Sequence, residues 1–300
     1  MSTITATAAE TVRITTGRSR ERSTASLIFV GLLWFSLFFG VVVLVVLIAD
    51  TAVKGSPRFD SDLLLGYEST ITPETTGFRA GIIGTAWLML GTALFAVPLG
   101  VGAGVYLEEF SDSKKWYNRL IEVNLQNLAA VPSVIYGLLA VAVMALIGFQ
   151  LKNIVLGGAI ALALLILPVV IITTREAVRA VPVDIRHASL ALGATPWQTT
   201  WRQTLPSAVP GIATGTILGL SRAIGEAAPL LLLGIGAIRF DPNGFLSQVT
   251  ALPIQIYRMS SQSQEEFQRA ASAGIIVLLI MILGLNGLAI YIRNKFQRSW

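Results

Sequence analysis

The 300-residue sequence contains no cysteine and one histidine, His187. Without thiols there is no disulfide framework, no thiolate nucleophile, no iron–sulfur cluster and no cysteine-ligated zinc, and one imidazole is too few for a histidine metal site. Charge is also scarce. Asp, Glu, Lys and Arg make up 13% of the chain, apolar residues make up 54%, and the mean hydropathy is +0.70. A soluble domain does not have this composition, whereas a lipid-embedded chain does. No glycine precedes any of Lys54, Lys114, Lys115, Lys152 or Lys295, so there is no Walker loop for a nucleotide. The tract Gly100-Val101-Gly102-Ala103-Gly104 has its third glycine one residue too early for a dinucleotide fingerprint, and close helix packing explains it better. No basic–aromatic patch suggests a nucleic-acid partner. No Ser–His–Asp or metal constellation suggests an enzyme, and no cofactor is expected.

What the chain does have is long apolar runs. The hydrocarbon core of a bilayer is about 30 Å thick and needs roughly 20 apolar residues per spanning helix. Six runs approach that length: Leu27–Ala49, Gly81–Tyr106, Ala129–Gly148, Ile154–Thr174, Val209–Ile238 and Ala273–Ile292. The expected fold class is therefore all-α and polytopic, because an isolated strand would leave its backbone unpaired in lipid. The first run follows Arg13, Arg18, Arg20 and Arg22 in the manner of a signal peptide. Its core is too long and no small-residue cleavage site follows, so an uncleaved anchor is expected over 27–49. Residues 1–26 are expected to be a disordered tail, 50–80 a loop on the far side, 81–294 the core domain and 295–300 a short second tail.

Orientation follows from the basic residues, which accumulate in cytoplasmic segments. Fourteen lie in the N-terminal tail, near 107–128, within 175–208 and in the C-terminal tail, against seven in the intervening segments. Both termini are therefore expected in the cytoplasm. The formal net charge of +5 reads as this topology signal together with attraction to lipid headgroups.

The longest inward connection has helical grammar. Asp184 is positioned to cap a short helix carrying Ile185, Ala188, Ser189 and Leu192 on one face, and Gly193 would end it. Thr195 is placed to cap a second helix with Pro196 at its first position, and Pro206 is expected to stop that helix. Spacing alone leaves two readings, a loop docked on its own bundle or a docking element for another protein. Gly193, nine residues, then Gln203-Thr204-Leu205-Pro206 resembles the coupling motif of prokaryotic ABC importer permeases. That family reads Glu-Ala-Ala, three residues, Gly, nine residues, Ile, one residue, Leu-Pro. Ala188, Gly193, Leu205 and Pro206 match it, while His187, Ser189 and Gln203 depart. The resemblance implies an ABC importer permease fold in which residues 184–206, among them His187, Ala188, Ser189, Gly193, Ala194, Leu205 and Pro206, dock on an ATPase subunit.

Within the membrane the informative residues are Arg222 and Glu226, in Ser221-Arg222-Ala223-Ile224-Gly225-Glu226-Ala227-Ala228-Pro229. On a continuous helix, positions i and i+4 share a face. A central charged residue costs about 2.5–3.5 kcal/mol to insert, which turns the pair inward. It is then either an ion pair stapling helices or the wall of a polar path, and the path is the favoured reading. Gly225 would permit close approach, and Pro229 frees backbone groups to line a cavity. The segment resembles the Arg-Ala-x-Gly-Glu motif of phosphate ABC importer permeases, with Ala227 where the family has Thr. The resemblance covers residues 80–295 and implies a substrate path through Ser221, Arg222, Gly225 and Glu226.

A guanidinium fork suits phosphate oxygens on chemical grounds alone. Glu226 would either neutralise and orient Arg222 or repel the anion so that it leaves. The partners implied are membrane lipid, inorganic phosphate, a second similar permease, two copies of an ATPase and an extracytoplasmic phosphate-binding protein. Two rivals stand beside this reading: a permease for molybdate or sulfate, and an ATP-independent secondary transporter. Pro98, Pro132 and Pro168 read as packing or gating kinks. The outer segment 239–272 reads either as a contact for the binding protein or as a solvated cap.

Overall fold

The computed structural model describes residues 24–112 and 115–296. Most of the tail expected to be disordered, and the last four residues, lie outside these. The chain divides into two units, residues 1–49 and 50–300. In the first, residues 24–49 are the greater part of helix α1 (Thr24–Gly55), which starts three residues before the expected anchor and runs six beyond it.

The second unit is built on α3 (Arg79–Val105), α6 (Val155–Arg179), α9 (Leu205–Ile224) and α12 (Glu265–Phe296). Of the helices described, α1, α3, α6 and α12 are long and apolar enough to cross a membrane singly. Small residues set how closely the others approach α6. A Cβ added to Gly100 would lie 2.7 Å from Val170 Cγ1, and one at Gly104 would lie 2.7 Å from Thr174 Cβ. Gly102, between them, faces open space. The 100–104 tract is therefore a packing seam between α3 and α6, as expected. Gly211 and Gly215 play the same part between α9 and α6, meeting Ala177 and Thr173. Pro98 and Pro168 lie inside continuous helices, and Pro168 is buried.

Two of the six apolar runs are not single rods. The third divides into α4 (Trp116–Ala129) and α5 (Ser133–Leu146), bent by 111° at a break where Pro132 is the residue before α5. A proline ring locks φ and disfavours helical geometry in the residue before it, so Pro132 sits at a hinge and not within a helix. The fifth run breaks after Ile224 and resumes as α10 (Ala228–Leu232).

The segments expected on the outer side are neither a free loop nor a solvated cap. Residues 245–249 lie antiparallel to 153–156, where Phe245 and Ser247 carbonyls accept from Leu156 and Val155 amides at 2.8 and 3.0 Å. Those amides open α6 and have no partner within it, so the returning chain satisfies them. Helix α11 (Leu252–Ser260) then buries Leu252, Ile254, Ile256 and Met259, and Leu252, Ile256 and Met259 pack in one cluster with Leu63 of short α2 (Ser61–Leu65) and with Phe78. The buried Glu68 carboxylate receives Arg258 Nε at 3.0 Å, and the Glu68 carbonyl receives Arg239 Nε at 3.1 Å.

Candidate translocation path and coupling segment

Helix α9 stops where its sequence stops supporting a helix. Gly225 closes it, and Pro229, which has no N–H, opens α10. Arg222 is therefore in the last turn of α9, and Glu226 lies beyond it in the break. The two do not meet as residues of one continuous helix. The chain continues through a tighter turn instead, with Gly225 and Glu226 amides donating to Arg222 and Ala223 carbonyls at 3.2 Å each. This turn brings Arg222 Nε to 3.7 Å from Glu226 Oε1, an ion pair longer than a hydrogen bond. The arginine side chain keeps 45% of its surface exposed and the glutamate 23%. A cation in the last helical turn also faces the unpaired carbonyls of that end, which favours its charge. No protein atom crowds Gly225, so its part here is to end the helix.

Ser221 donates to the Ile217 carbonyl at 2.7 Å and touches the side-chain oxygen of Asn286 on α12. Asn286 joins the polar set although the sequence reading passed over it. The available signal was one amide within the otherwise apolar stretch 274–290. Across the break, Gly137 of α5 packs against the backbone of Pro229, and Tyr136 donates to the Leu128 carbonyl at 2.6 Å. The structure thus brings Ser221, Arg222, Gly225 and Glu226 together at one helix break and adds Asn286.

The connection expected to face inward forms the two short helices expected, with three differences. Helix α7 (Val183–Ala191) has Pro182 and not Asp184 at its cap, and Asp184 lies in its first turn. Leu192 is 89% exposed and not on the packed face, while Ile185 packs beside Val178, Val181, Ala208 and Ile212. Pro206 does not end the second helix. Helix α8 (Pro196–Thr199) passes through a π turn at Thr200–Thr204 directly into α9. The wider turn lies immediately before the ring, which would otherwise collide with the carbonyl four residues back.

Gly193 ends α7 with φ +84°, a conformation that strains other residues. Thr195 and Gln198 complete a reciprocal cap on α8, and Ser189 and Thr199 hydroxyls, 2.9 Å apart, tie the two helices. His187, Ala188, Gly193 and Pro206 are exposed, whereas Ser189, Ala194 and Leu205 are half-buried. Exposed Trp197 and Trp201 stack at 5.7 Å, and Phe110 lies 5.9 Å from Trp197.

Charged contacts fasten this segment to the helices above. Arg186 of α7 reaches Glu109 at 2.8 Å and the Val178 carbonyl at 2.7 Å. Next to it Glu108 takes both Arg179 nitrogens at 2.9 Å, and Arg175 bridges Glu108 and Glu122 at 3.3 and 3.2 Å. These ion pairs join residues 53 to 77 positions apart, so no local motif announced them.

A polytopic helical bundle, an ionised pair at a helix break and a helix–turn–helix tied to the long helices define a transport subunit of the importer permease class. Residues 96–298 match the family described as the binding-protein-dependent transport system inner membrane component, and the chain belongs to that family. Among its relatives is the phosphate transport system permease protein PstA of Yersinia pestis, 32% identical over 256 residues and 85% of each chain. The protein of that name from Haemophilus influenzae is 31% identical, covering 93% of this chain and 96% of its own. In fold the chain is similar to a bacterial ABC transporter involved in importing the acidic polysaccharide alginate. The TM-score is 0.61 at 17% identity, over 93% of this chain and 99% of that one.

Proposed function

We propose that this chain is the PstA-type permease subunit of an ATP-driven phosphate importer, with the anion passing Arg222 at the break between α9 and α10. The observation that carries the reading is a guanidinium left nearly half exposed beside one carboxylate at 3.7 Å, in a run of residues otherwise apolar. A fork of donors with an unsaturated partner suits a tetrahedral oxyanion. The loose contact suits a site that must also release its ligand. The relatives that bear the PstA name support phosphate over other oxyanions.

In this reading the chain does no chemistry. It pairs with a PstC-like second permease, and its 184–206 segment docks on a PstB-like ATPase dimer. A PstS-like extracytoplasmic protein delivers phosphate. The chain sits in the prokaryotic inner membrane with both termini cytoplasmic, which puts the coupling segment and the Glu108–Arg179 network on the ATPase side. Glu226 holds Arg222 while the path is empty and yields it to the anion.

The test is ATPase activity and uptake in the assembled transporter with phosphate-loaded binding protein, compared with sulfate and molybdate. Stimulation by phosphate alone supports the reading. Equal stimulation by another oxyanion would reassign the substrate, and uptake without any ATPase would reject the importer class.

A further inference from the structure

Helix α4 is amphipathic in the reverse sense to a helix covering a core. Its polar and buried positions face α6, where Glu122 pairs with Arg175 and Leu125 is buried. Its outward stripe is apolar. Trp116, Tyr117, Leu120, Ile121 and Val123 all lie on that side with between 42 and 76% of their surface exposed. Asn124 and Asn127 share the stripe only beyond its second turn. The 111° bend at Pro132 sets the axis of α4 nearly across that of α5, so if apolar α5 enters the bilayer steeply, α4 lies close to the membrane plane. Trp116 and Tyr117 pack edge to face, and Lys115 sits over the Tyr117 ring, 5.8 Å from its centre. Lys114 and Lys115 precede the helix in the chain.

Aromatic rings paired with lysine mark the headgroup level of a membrane, and an in-plane helix with this pattern buries its apolar face at the acyl boundary. A protein groove would give no reason for lysines at the entry to the apolar stripe. Anionic headgroups do, by charge complementarity. We propose that the first two turns of α4 anchor in the plane of the bilayer on anionic phospholipid, in the leaflet nearest the coupling segment. Only the identity of that leaflet rests on the orientation proposed above. Because Glu122 on the other face holds Arg175, the anchor is joined to the charged network that carries Arg186 and the coupling helices.

The absence of cysteine allows a direct test. Leu120→Cys and, on an exposed flank of α4 away from the apolar stripe, Gln126→Cys are labelled with an environment-sensitive fluorophore in the complete transporter. Each is placed in nanodiscs containing phosphatidylglycerol and a shallow doxyl-labelled lipid. The Leu120 label should lose fluorescence to the doxyl lipid and be spared by aqueous iodide, and the Gln126 label should behave the opposite way. In phosphatidylcholine alone the doxyl effect at Leu120 should weaken. A Leu120 label indifferent to both quenchers would mean that a protein partner covers the stripe, and one quenched by iodide would mean that water does. Either result overturns the proposal, and equal quenching in both lipids overturns the anionic preference. Ile121→Cys repeats the test should the first variant fail to assemble. In sealed inside-out vesicles, dithionite should bleach the Gln126 label. Bleaching only in right-side-out vesicles would overturn the orientation and leave the lipid contact standing.

Discussion

On the proposed path, Arg222 would be a charge kept in a membrane without being locked there. The carbonyl end of α9 and Glu226 both favour the cation, yet the 3.7 Å separation leaves guanidinium donors for a third party. Replacing Arg222 by Gln should leave the subunit assembled and lower uptake at limiting phosphate by about 10- to 100-fold, the worth of one charged hydrogen-bonding partner. Arg222→Lys should fall between, because it keeps the charge and loses the planar fork. Radiolabelled phosphate uptake, normalised to purified complex, checks both. Unchanged uptake in Arg222→Gln would return the pair to a structural role. Asn286 makes the complementary case. Asn286→Leu removes the amide that meets Ser221 while the Ser221 hydroxyl keeps the Ile217 carbonyl. The expected loss is therefore about 1 kcal/mol of stability, in the range measured for hydrogen bonds between membrane helices. Thermal inactivation of the detergent-purified complex measures it. Arg222 and Glu226 were legible in the sequence because charge inside an apolar run stands out by itself. Asn286 was less so, since a single amide reads as tolerable until a partner is seen.

At the scale of elements, α3 and α6 owe their close approach to the absence of side chains at Gly100 and Gly104. Interiors at crystal-like density do not absorb added volume, so Gly104→Val should cost about 1–3 kcal/mol and Gly102→Ala nearly nothing. A drop in melting temperature for the first substitution alone would establish the seam, and equal drops would dismiss it. The long helices were legible because hydrophobic length is nearly sufficient to specify a spanning helix. The breaks were not, although the residues responsible were in view. Hydropathy is continuous across Gly225 and Pro229 and across Pro132, while helix continuity there is decided by backbone donors and ring sterics. The reverse error occurred at Pro206, where a π turn carries the helix past a proline expected to stop it. The outer segment was illegible for a different reason, because its partners are remote. Glu68 and Arg258 are 190 positions apart, and periodicity contains no information about such a pairing.

Taken as a whole, the molecule joins its proposed coupling segment to its proposed path by a short chain of rigid parts. Arg186 on α7 grips Glu109, in the π turn that ends α3. Helix α3 is keyed into α6 by Gly100 and Gly104, and α6 into α9 by Gly211 and Gly215. Helix α9 carries Arg222 at its far end. A force applied to α7 therefore has two routes to that arginine: directly along the continuous backbone of α8 and α9, or through Glu109 and the α3–α6 seam. Glu109→Gln separates them. It removes the ion pair while Arg186 retains the Val178 carbonyl, so α7 should stay folded and docked. If the second route matters, ATP hydrolysis should continue while phosphate moved per ATP falls, and the double exchange Glu109→Arg with Arg186→Glu should recover part of the loss. The pair is partly buried, so a coupling energy of about 1–3 kcal/mol is expected from the double-mutant cycle. Wild-type stoichiometry in Glu109→Gln would assign transmission to the α8–α9 backbone alone. The π turn at Thr200–Thr204 would then be the place where that route bends.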